Sequence, residues 1–236
     1  MMRFFLLFTF FFQINSFSQI DSVEVNYKVI IGNDDLMAKD KVMTKTLELA
    51  IEGSVFLEFK LFANKKESYF LINSSLENQS NSIVYAKIHS GFTSDLYSDD
   101  KNGFVYENHN DVLGEYVLKK KLQVLDWTLT NETKNIGGLK CYKATADEIV
   151  INPVGKFYYP ITAWYSPEIP ISKGPLLIGG LPGLIIELSR RNVVFGLKSF
   201  EINPIKIIPL KKPKFNKVKT IEEVNKMKYE FINGKE

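Results

Sequence analysis

The segment Val23–Ile31 reads VEVNYKVII, and apolar residues at its odd-numbered positions alternate with mostly polar residues at the even-numbered ones. A period of two is typical of a β-strand with one buried face, because successive side chains point to opposite sides of a sheet. The next four residues, Gly32-Asn33-Asp34-Asp35, are turn formers. The sequence therefore predicts a half-buried strand that ends at this turn.

Short runs of the same kind recur along the chain and are separated by turn formers such as Asp99-Asp100-Lys101-Asn102-Gly103. The predicted strands cover residues 55–62, 68–73, 83–88, 104–108, 116–118, 123–130, 139–145, 157–165, 184–189 and 193–200. Many short strands joined by turns favour an antiparallel architecture. We therefore predict a mainly β fold, a strongly curved antiparallel sheet or a sandwich of about ten or more short strands.

Helical patterns are few. Residues 36–49 are ambiguous between a strand and an apolar helical face. Thr220-Ile221-Glu222-Glu223 fits a capping box, and Ile221, Val224, Met227 and Phe231 give one apolar face, which predicts a short helix over residues 220–232. Residues 205–219 lie beside or contain three prolines and carry five lysines between positions 211 and 219, so they are predicted to form an extended connector.

The first 18 residues have the pattern of a signal peptide. Phe4–Phe12 is an almost wholly apolar run of nine residues behind a single base, Arg3, and a membrane-spanning helix needs about 20. Ser16 and Ser18 are small residues that suit cleavage before Gln19. We expect residues 19–236 to be one exported domain with no transmembrane segment after cleavage, located in the periplasm, at the outer membrane or outside the cell.

Composition excludes several classes of function. Cys141 is the single cysteine, so no intramolecular disulfide is possible, and with only His89 and His109 beside it a metal site of His and Cys is not expected. The bases are 27 Lys and 3 Arg, whereas proteins that read nucleic acid favour the Arg fork. We therefore predict no cofactor, no metal site, no catalytic residue and no nucleic-acid partner. Cys141 paired with His89 or His109 is the one nucleophile–base combination available, and a packed apolar thiol is the favoured interpretation.

The most distinctive stretch is AWYSPEIPISKGPLLIGGLPGLIIEL, Ala163–Leu188. Within it, Leu181-Pro182-Gly183-Leu184 suits a type II turn, because proline presets φ at the second position and glycine supplies a positive φ at the third. Gly179, Gly180 and Gly183 do not make a phosphate-binding GxGxxG pattern.

This stretch resembles the GLPGLI family of exported Bacteroidetes proteins, named for the hexapeptide that stands here at Gly180–Ile185. The lead-in Ala163–Pro175 and, further upstream, Trp127 with Glu132–Ile136 and Cys141–Ala144 also resemble the family pattern, while Leu139 stands where an aromatic residue is commoner. The likeness is strong over Leu125–Phe200. It implies an exported envelope protein associated with outer-membrane receptors, and since the family has no established activity it supplies no catalytic residues.

Aromatic and proline residues crowd around this stretch and are the best candidates for a binding surface, because Tyr and Trp bring contact area with a polar tip. An ordinary two-sided core explains the same cluster. The candidate binding or structural residues are Tyr158, Trp164, Tyr165, Pro167, Glu168, Pro170, Gly174, Pro175, Gly180, Leu181, Pro182, Gly183, Leu184 and Ile185.

Two functions remain open from the sequence. The first is a non-catalytic binding or accessory module for an outer-membrane receptor, another envelope protein or an apolar ligand. The second is an envelope hydrolase that uses carboxylates such as Glu168 and Glu187. Two carboxylates that converge in a pocket would favour the hydrolase, and a smooth apolar groove would favour the binding module.

Overall fold

The computed structural model describes residues 19–73, 80–152, 155–205, 212–213 and 215–234. The predicted signal peptide, residues 1–18, lies outside the described residues, as do residues 206–211 and 214 of the predicted connector. Among the described residues, no helix is both long and apolar enough to cross a membrane.

Twelve strands of the described chain pair into one sheet. They are Ser22–Ile31 (β1), Glu58–Asn64 (β2), Glu67–Ile72 (β3), Leu96–Asp99 (β4), Phe104–Asp111 (β5), Gly114–Lys121 (β6), Thr128–Ile136 (β7), Leu139–Asn152 (β8), Gly155–Ser166 (β9), Leu184–Arg190 (β10), Val193–Ile202 (β11) and Val218–Lys219 (β12). The prediction of a mainly β, antiparallel fold is confirmed, since only the short β12–β6 pairing is parallel.

The strand order is β12-β6-β5-β4-β3-β2-β1-β11-β10-β9-β8-β7, so the sheet consists of two meanders that meet at the centre. The first meander runs outward from β1 to β6. The chain then crosses to the opposite edge at β7 and returns strand by strand to β11, which pairs with β1 along most of its length. The two halves are therefore joined by a pairing between the beginning and the end of the strand-rich region.

Two helices, Lys41–Ser54 (α1) and Asn81–His89 (α2), pack against each other and with the main core. Residues 83–88, predicted as a strand, are instead part of α2. Its β-branched residues suggest a strand, but the Ser80 side chain caps the first turn, and Ile83 and Ala86 are buried. A Cβ at Gly53 would lie 2.1 Å from the Ser82 carbonyl oxygen, so only a glycine allows the two helix backbones to touch.

The main core lies on one face of the sheet, where α1, α2 and the loop between β9 and β10 cover it. Its strand residues alternate as predicted, and Val25, Tyr27 and Phe59 are fully buried. A second, smaller cluster lies on the opposite face, because Phe62 alternates along β2 with Leu61 and Ala63 of the main core. Its members are Phe62, Tyr69, Tyr97, Tyr106 and Val117.

The C-terminal helix Ile221–Asn233 (α3) is confirmed, and Thr220 and Glu223 form the predicted capping box. Its buried residue, Val224, packs on Tyr116 and Leu118 of β6. Within the predicted connector, a 3-10 turn at Phe215–Lys217 leads directly into β12. Residues 123–127, placed at the start of a predicted strand, are the crossing between the two edges, and β4 was missed because it is only four residues long.

Candidate functional site

The hexapeptide Gly180–Ile185 is mostly an anchor in the core. Leu181, Leu184 and Ile185 are buried, whereas Gly180 and Pro182 are exposed. The hydroxyl of Tyr27 donates to the carbonyl oxygen of Ile185 at 2.6 Å, deep in the core. The motif therefore ties the β9–β10 loop to the central strand β1.

The predicted type II turn at Leu181–Leu184 is wrong. The N–H of Gly183 donates to the carbonyl of Leu181 at 2.8 Å and closes a three-residue turn centred on Pro182, while the N–H of Leu184 donates to Ile169. The φ of Gly183 is 159°, far from the value of about 80° that a type II turn requires. Gly183 is needed for space, because a Cβ there would lie 2.1 Å from the carbonyl oxygen of Ser166.

The aromatic candidates do not form one surface. Tyr158 is 57% exposed and Tyr165 is buried against Tyr142. Trp164, the neighbour of Tyr165, points to the other face, where the Lys134 ammonium lies 4.4 Å from its ring centroid.

The remaining candidates also divide between surface and core. Pro167, Glu168 and Pro170 are exposed, whereas Gly174 and Pro175 are buried. A Cβ at Gly174 would meet the side chain of Ile185, so the middle of the loop packs closely against the start of β10.

The carboxylates of the hydrolase hypothesis are each engaged by a different residue. Glu168 accepts from the N–H of Lys140 at 2.8 Å, and Glu187 accepts from Lys134 at 2.8 Å.

Cys141 of β8 is fully buried, and burial raises the pKa of its thiol to about 11. The thiol is therefore protonated and shielded at neutral pH, which fits the packed interpretation.

A buried lysine that no sequence pattern indicates holds the β9–β10 loop on the sheet. Lys173 is 5% exposed, and its ammonium contacts the Asp100 carboxylate at 2.7 Å and the Ser98 hydroxyl at 3.3 Å. The Ser98 hydroxyl also donates to Asp100. This network supplies the partners that a buried charge needs, so we assign it a structural role.

A groove in two parts lies at the turn between β10 and β11, and we call it the arginine groove. The first hollow is about 260 Å³ and the second about 360 Å³, and they share Gly91, Glu148 and Arg190. The first continues to Glu107, Lys120, Lys121 and Leu176–Ile178, and the second to His89, Tyr159, Arg191 and Asn192.

Arg190 is held rigidly between the hollows. Its Nε and Nη2 atoms donate to the two oxygens of Glu148, each at 2.6 Å, which is the bidentate geometry that a guanidinium favours. A Cβ at Gly91, whose φ is 77°, would lie 2.6 Å from Arg190 Nη1. Gly91 therefore makes room for the guanidinium.

Arg191 stands in the turn itself, with a left-handed φ of 54°. Its guanidinium lies 4.9 Å from the ring centroid of Tyr159, and Nη2 donates to Asp34 at 2.9 Å. Burial, followed by the charge of Arg191, lowers the pKa of His89, while Asp34 opposes that shift. The second hollow thus contains a neutral imidazole beside a fixed cation.

The wall of the first hollow is strained. Leu176 and Leu177 have φ values of 56° and 59°, a left-handed conformation that is costly for residues with a side chain. Leu177 is 1% exposed, and the bridge between Lys173 and Gly179 closes the segment on either side of the two leucines. Opposite this wall, Glu107 is held by Lys120 at 2.6 Å and by His109 at 3.2 Å.

Cys141 is buried, and the two histidines have other charged neighbours. His89 lies beside Arg191 and His109 contacts Glu107, so neither pairs with Cys141. No group of three His, Cys, Asp or Glu residues that could hold a metal ion occurs among the described residues. One signal in the sequence could have indicated the groove, since two of the three arginines in a lysine-rich chain are adjacent, at 190 and 191.

Known proteins resemble this chain in fold, and the matching family model carries no function. The model of a family described as a protein of unknown function (Porph_ging) matches residues 153–187, which include the whole β9–β10 loop. No curated protein matches the chain. Two solved structures of PNGF-II, in space groups P21 and C2, are each 14% identical and superpose with TM-scores of 0.52 and 0.51. The superpositions cover 89% of this chain and 33% of PNGF-II, so the chain spans about a third of the length of those structures and shares a fold with part of them.

Proposed function

We propose that the protein is an exported, non-catalytic binding module of the cell envelope and that the arginine groove is its binding site. The observation that carries this proposal is the construction of the groove. Its charged residues Arg190 and Glu148 are fixed by bidentate hydrogen bonds, which is typical of a pre-organised binding surface. Its lining includes one serine, Ser90, which follows His89 in the chain, but the Ser90 hydroxyl donates to the carbonyl oxygen of Lys87 at 2.7 Å.

The sequence supports the family and the cellular location that this proposal assumes. We infer membership of the GLPGLI family from Gly180–Ile185 and its lead-in, export from residues 1–18, and a location in the periplasm, at the outer membrane or outside the cell. The part of PNGF-II that this chain resembles belongs to a longer protein, which agrees with a fold used as a module. The expected partner is an outer-membrane receptor or another envelope protein, and the charges of the groove favour it over a wholly apolar ligand.

Site-specific photo-crosslinking in the producing organism tests the binding site. A photoreactive residue at Lys121, on the rim of the first hollow, should yield a defined adduct. The same residue at Lys198, a surface lysine paired with Glu58 outside the groove, should not. Mass spectrometry then separates a protein adduct from a small-molecule adduct. Equal labelling at the two positions would refute the assignment of the groove.

Intact mass of the exported chain tests cleavage before Gln19, because a chain that retains Met1 contradicts export by this signal.

A hydrolase remains the second candidate, because two carboxylates, Glu107 and Glu148, line the first hollow together. Each is held by a base at 2.6 Å, by Lys120 and Arg190 respectively, which is the reason that binding is preferred. The test is release of soluble fragments from a purified envelope fraction. Release that is abolished by both Glu107→Gln and Glu148→Gln in folded protein would establish the hydrolase in place of the binding module.

A further inference from the structure

We propose that the second hollow of the arginine groove binds an anionic group of the ligand, a carboxylate or a phosphate, and that Arg191 is the residue that contacts it. This inference rests on the proposed function, because it assigns a ligand chemistry to the same groove. The observations behind it are the charge of the groove, the choice of arginine at position 191 and the conformation of that residue.

The groove carries an excess of positive charge. Its lining includes four bases and two acids, which are Lys120, Lys121, Arg190 and Arg191 against Glu107 and Glu148. Lys120 and Arg190 are neutralised by the two acids, each at 2.6 Å. Of the remaining two bases, Arg191 is paired with Asp34 at 2.9 Å and keeps further N–H donors, and Lys121 leaves the groove with a net charge of one positive unit. An anionic ligand complements this surface, and a cationic ligand would meet repulsion.

Arg191 has the capacity to bind such a group. A guanidinium has five N–H donors, and at Arg191 the contact with Asp34 uses Nη2. The side chain is 40% exposed, and its contacts with the Tyr159 ring and with Asp34 restrict the guanidinium before a ligand arrives. Carboxylates and phosphates both match this fork with two parallel hydrogen bonds.

The backbone at position 191 indicates that the side chain has a use. Arg191 and Asn192 form the two-residue link between Arg190 and Val193, which are cross-strand partners. Such links favour glycine or asparagine where φ is positive, because a β-carbon is strained there. An arginine at φ 54° therefore keeps a costly conformation at the mouth of a hollow, which is where strained residues with a function are found.

Titration of the mature chain with inorganic phosphate and, separately, with succinate tests this inference. Backbone amide signals should be followed by NMR at constant ionic strength, which removes general screening effects. We expect the amides of His89, Gly91 and Arg191 to shift with at least one anion. A response to phosphate alone identifies a phosphate site, and a response to succinate alone identifies a carboxylate site. No localised shift with either anion up to about 10 mM would overturn the proposal.

Two variants and a matched control identify the contacting residue. Arg191→Gln should weaken anion binding about tenfold or more, the loss expected for a charge-assisted hydrogen bond. Arg191→Lys, which keeps the charge but not the fork, should weaken it less. Lys198→Gln removes a paired base of similar exposure, 41%, outside the groove and should leave binding unchanged. Melting curves confirm that each variant is folded, and equal affinity of Arg191→Gln and Lys198→Gln would refute the role of Arg191.

The two proposals fail separately. A crosslink at Lys121 without any anion response keeps the binding groove and refutes the anionic ligand. An anion response without a crosslink identifies an anion site and refutes the proposed function.

Discussion

Replacing Gly183 by alanine tests the central packing contact of the hexapeptide. The added Cβ would lie 2.1 Å from the carbonyl oxygen and 2.6 Å from the carbonyl carbon of Ser166, and 2.8 Å from the Cα of Pro167. Cβ atoms essentially never come within 3.0 Å of such neighbours, so one backbone segment must move by about 1 Å. The movement would also stretch the hydrogen bond from Leu184 to Ile169, which is 2.9 Å long.

We expect Gly183→Ala to lower the free energy of unfolding by about 3 kcal/mol, at the upper end of the range for overpacking in a core that cannot relax. For a chain of this size that corresponds to a fall in melting temperature of about 6–12 °C. Urea unfolding measures the loss as a lower midpoint at an unchanged slope. Gly196→Ala is the matched control, because a Cβ at that strand position meets nothing within 4 Å.

Gly183→Asn separates a close backbone approach from a left-handed turn. If a left-handed conformation were the reason for glycine, asparagine would cost less than alanine. Because the obstacle is the backbone of Ser166, we expect asparagine to cost at least as much as alanine. The reasoning is refuted if Gly183→Ala and Gly196→Ala unfold within about 0.5 kcal/mol of each other, since surface-like changes have effects of that size.

Three further predictions follow from single contacts. Lys173→Met should destabilise the chain by about 3 kcal/mol, because it leaves the Asp100 carboxylate without its base. At the exposed Lys198, the same substitution should cost less than about 1 kcal/mol, and the urea midpoints of the two variants measure the difference. Cys141 should resist iodoacetamide at pH 8 in the native state and react once the chain is unfolded, because burial raises the pKa of its thiol to about 11, so rapid native labelling would contradict its packing. Burial lowers the pKa of His89 below its unfolded value, so the unfolded state binds a proton first and stability is lost as the pH falls through about 6.5. The loss of unfolding free energy between pH 7 and pH 5 should therefore be smaller in His89→Asn than in the unmodified chain. Equal losses in the two proteins would contradict this assignment.

The sequence by itself determined the features that depend on near neighbours in the chain. The alternation in Val23–Ile31 predicts β1 because side chains two residues apart share a face in any strand. The capping box at Thr220 and Glu223 predicts α3 because its hydrogen bonds join residues three apart. The mainly β class and the C-terminal helix followed from such local patterns.

Tertiary contacts decided the rest. Residues 83–88 are helical because α2 can pack its backbone on Gly53 of α1, a contact that no pattern within residues 83–88 contains. The arginine groove brings Gly91 and Glu148 to Arg190, and these residues are tens of positions apart in the chain. Only the return of the second meander from β7 to the central pair β1–β11 places them together. Local periodicity specifies which residues face inward, but the pairing of distant strands specifies which of those residues meet.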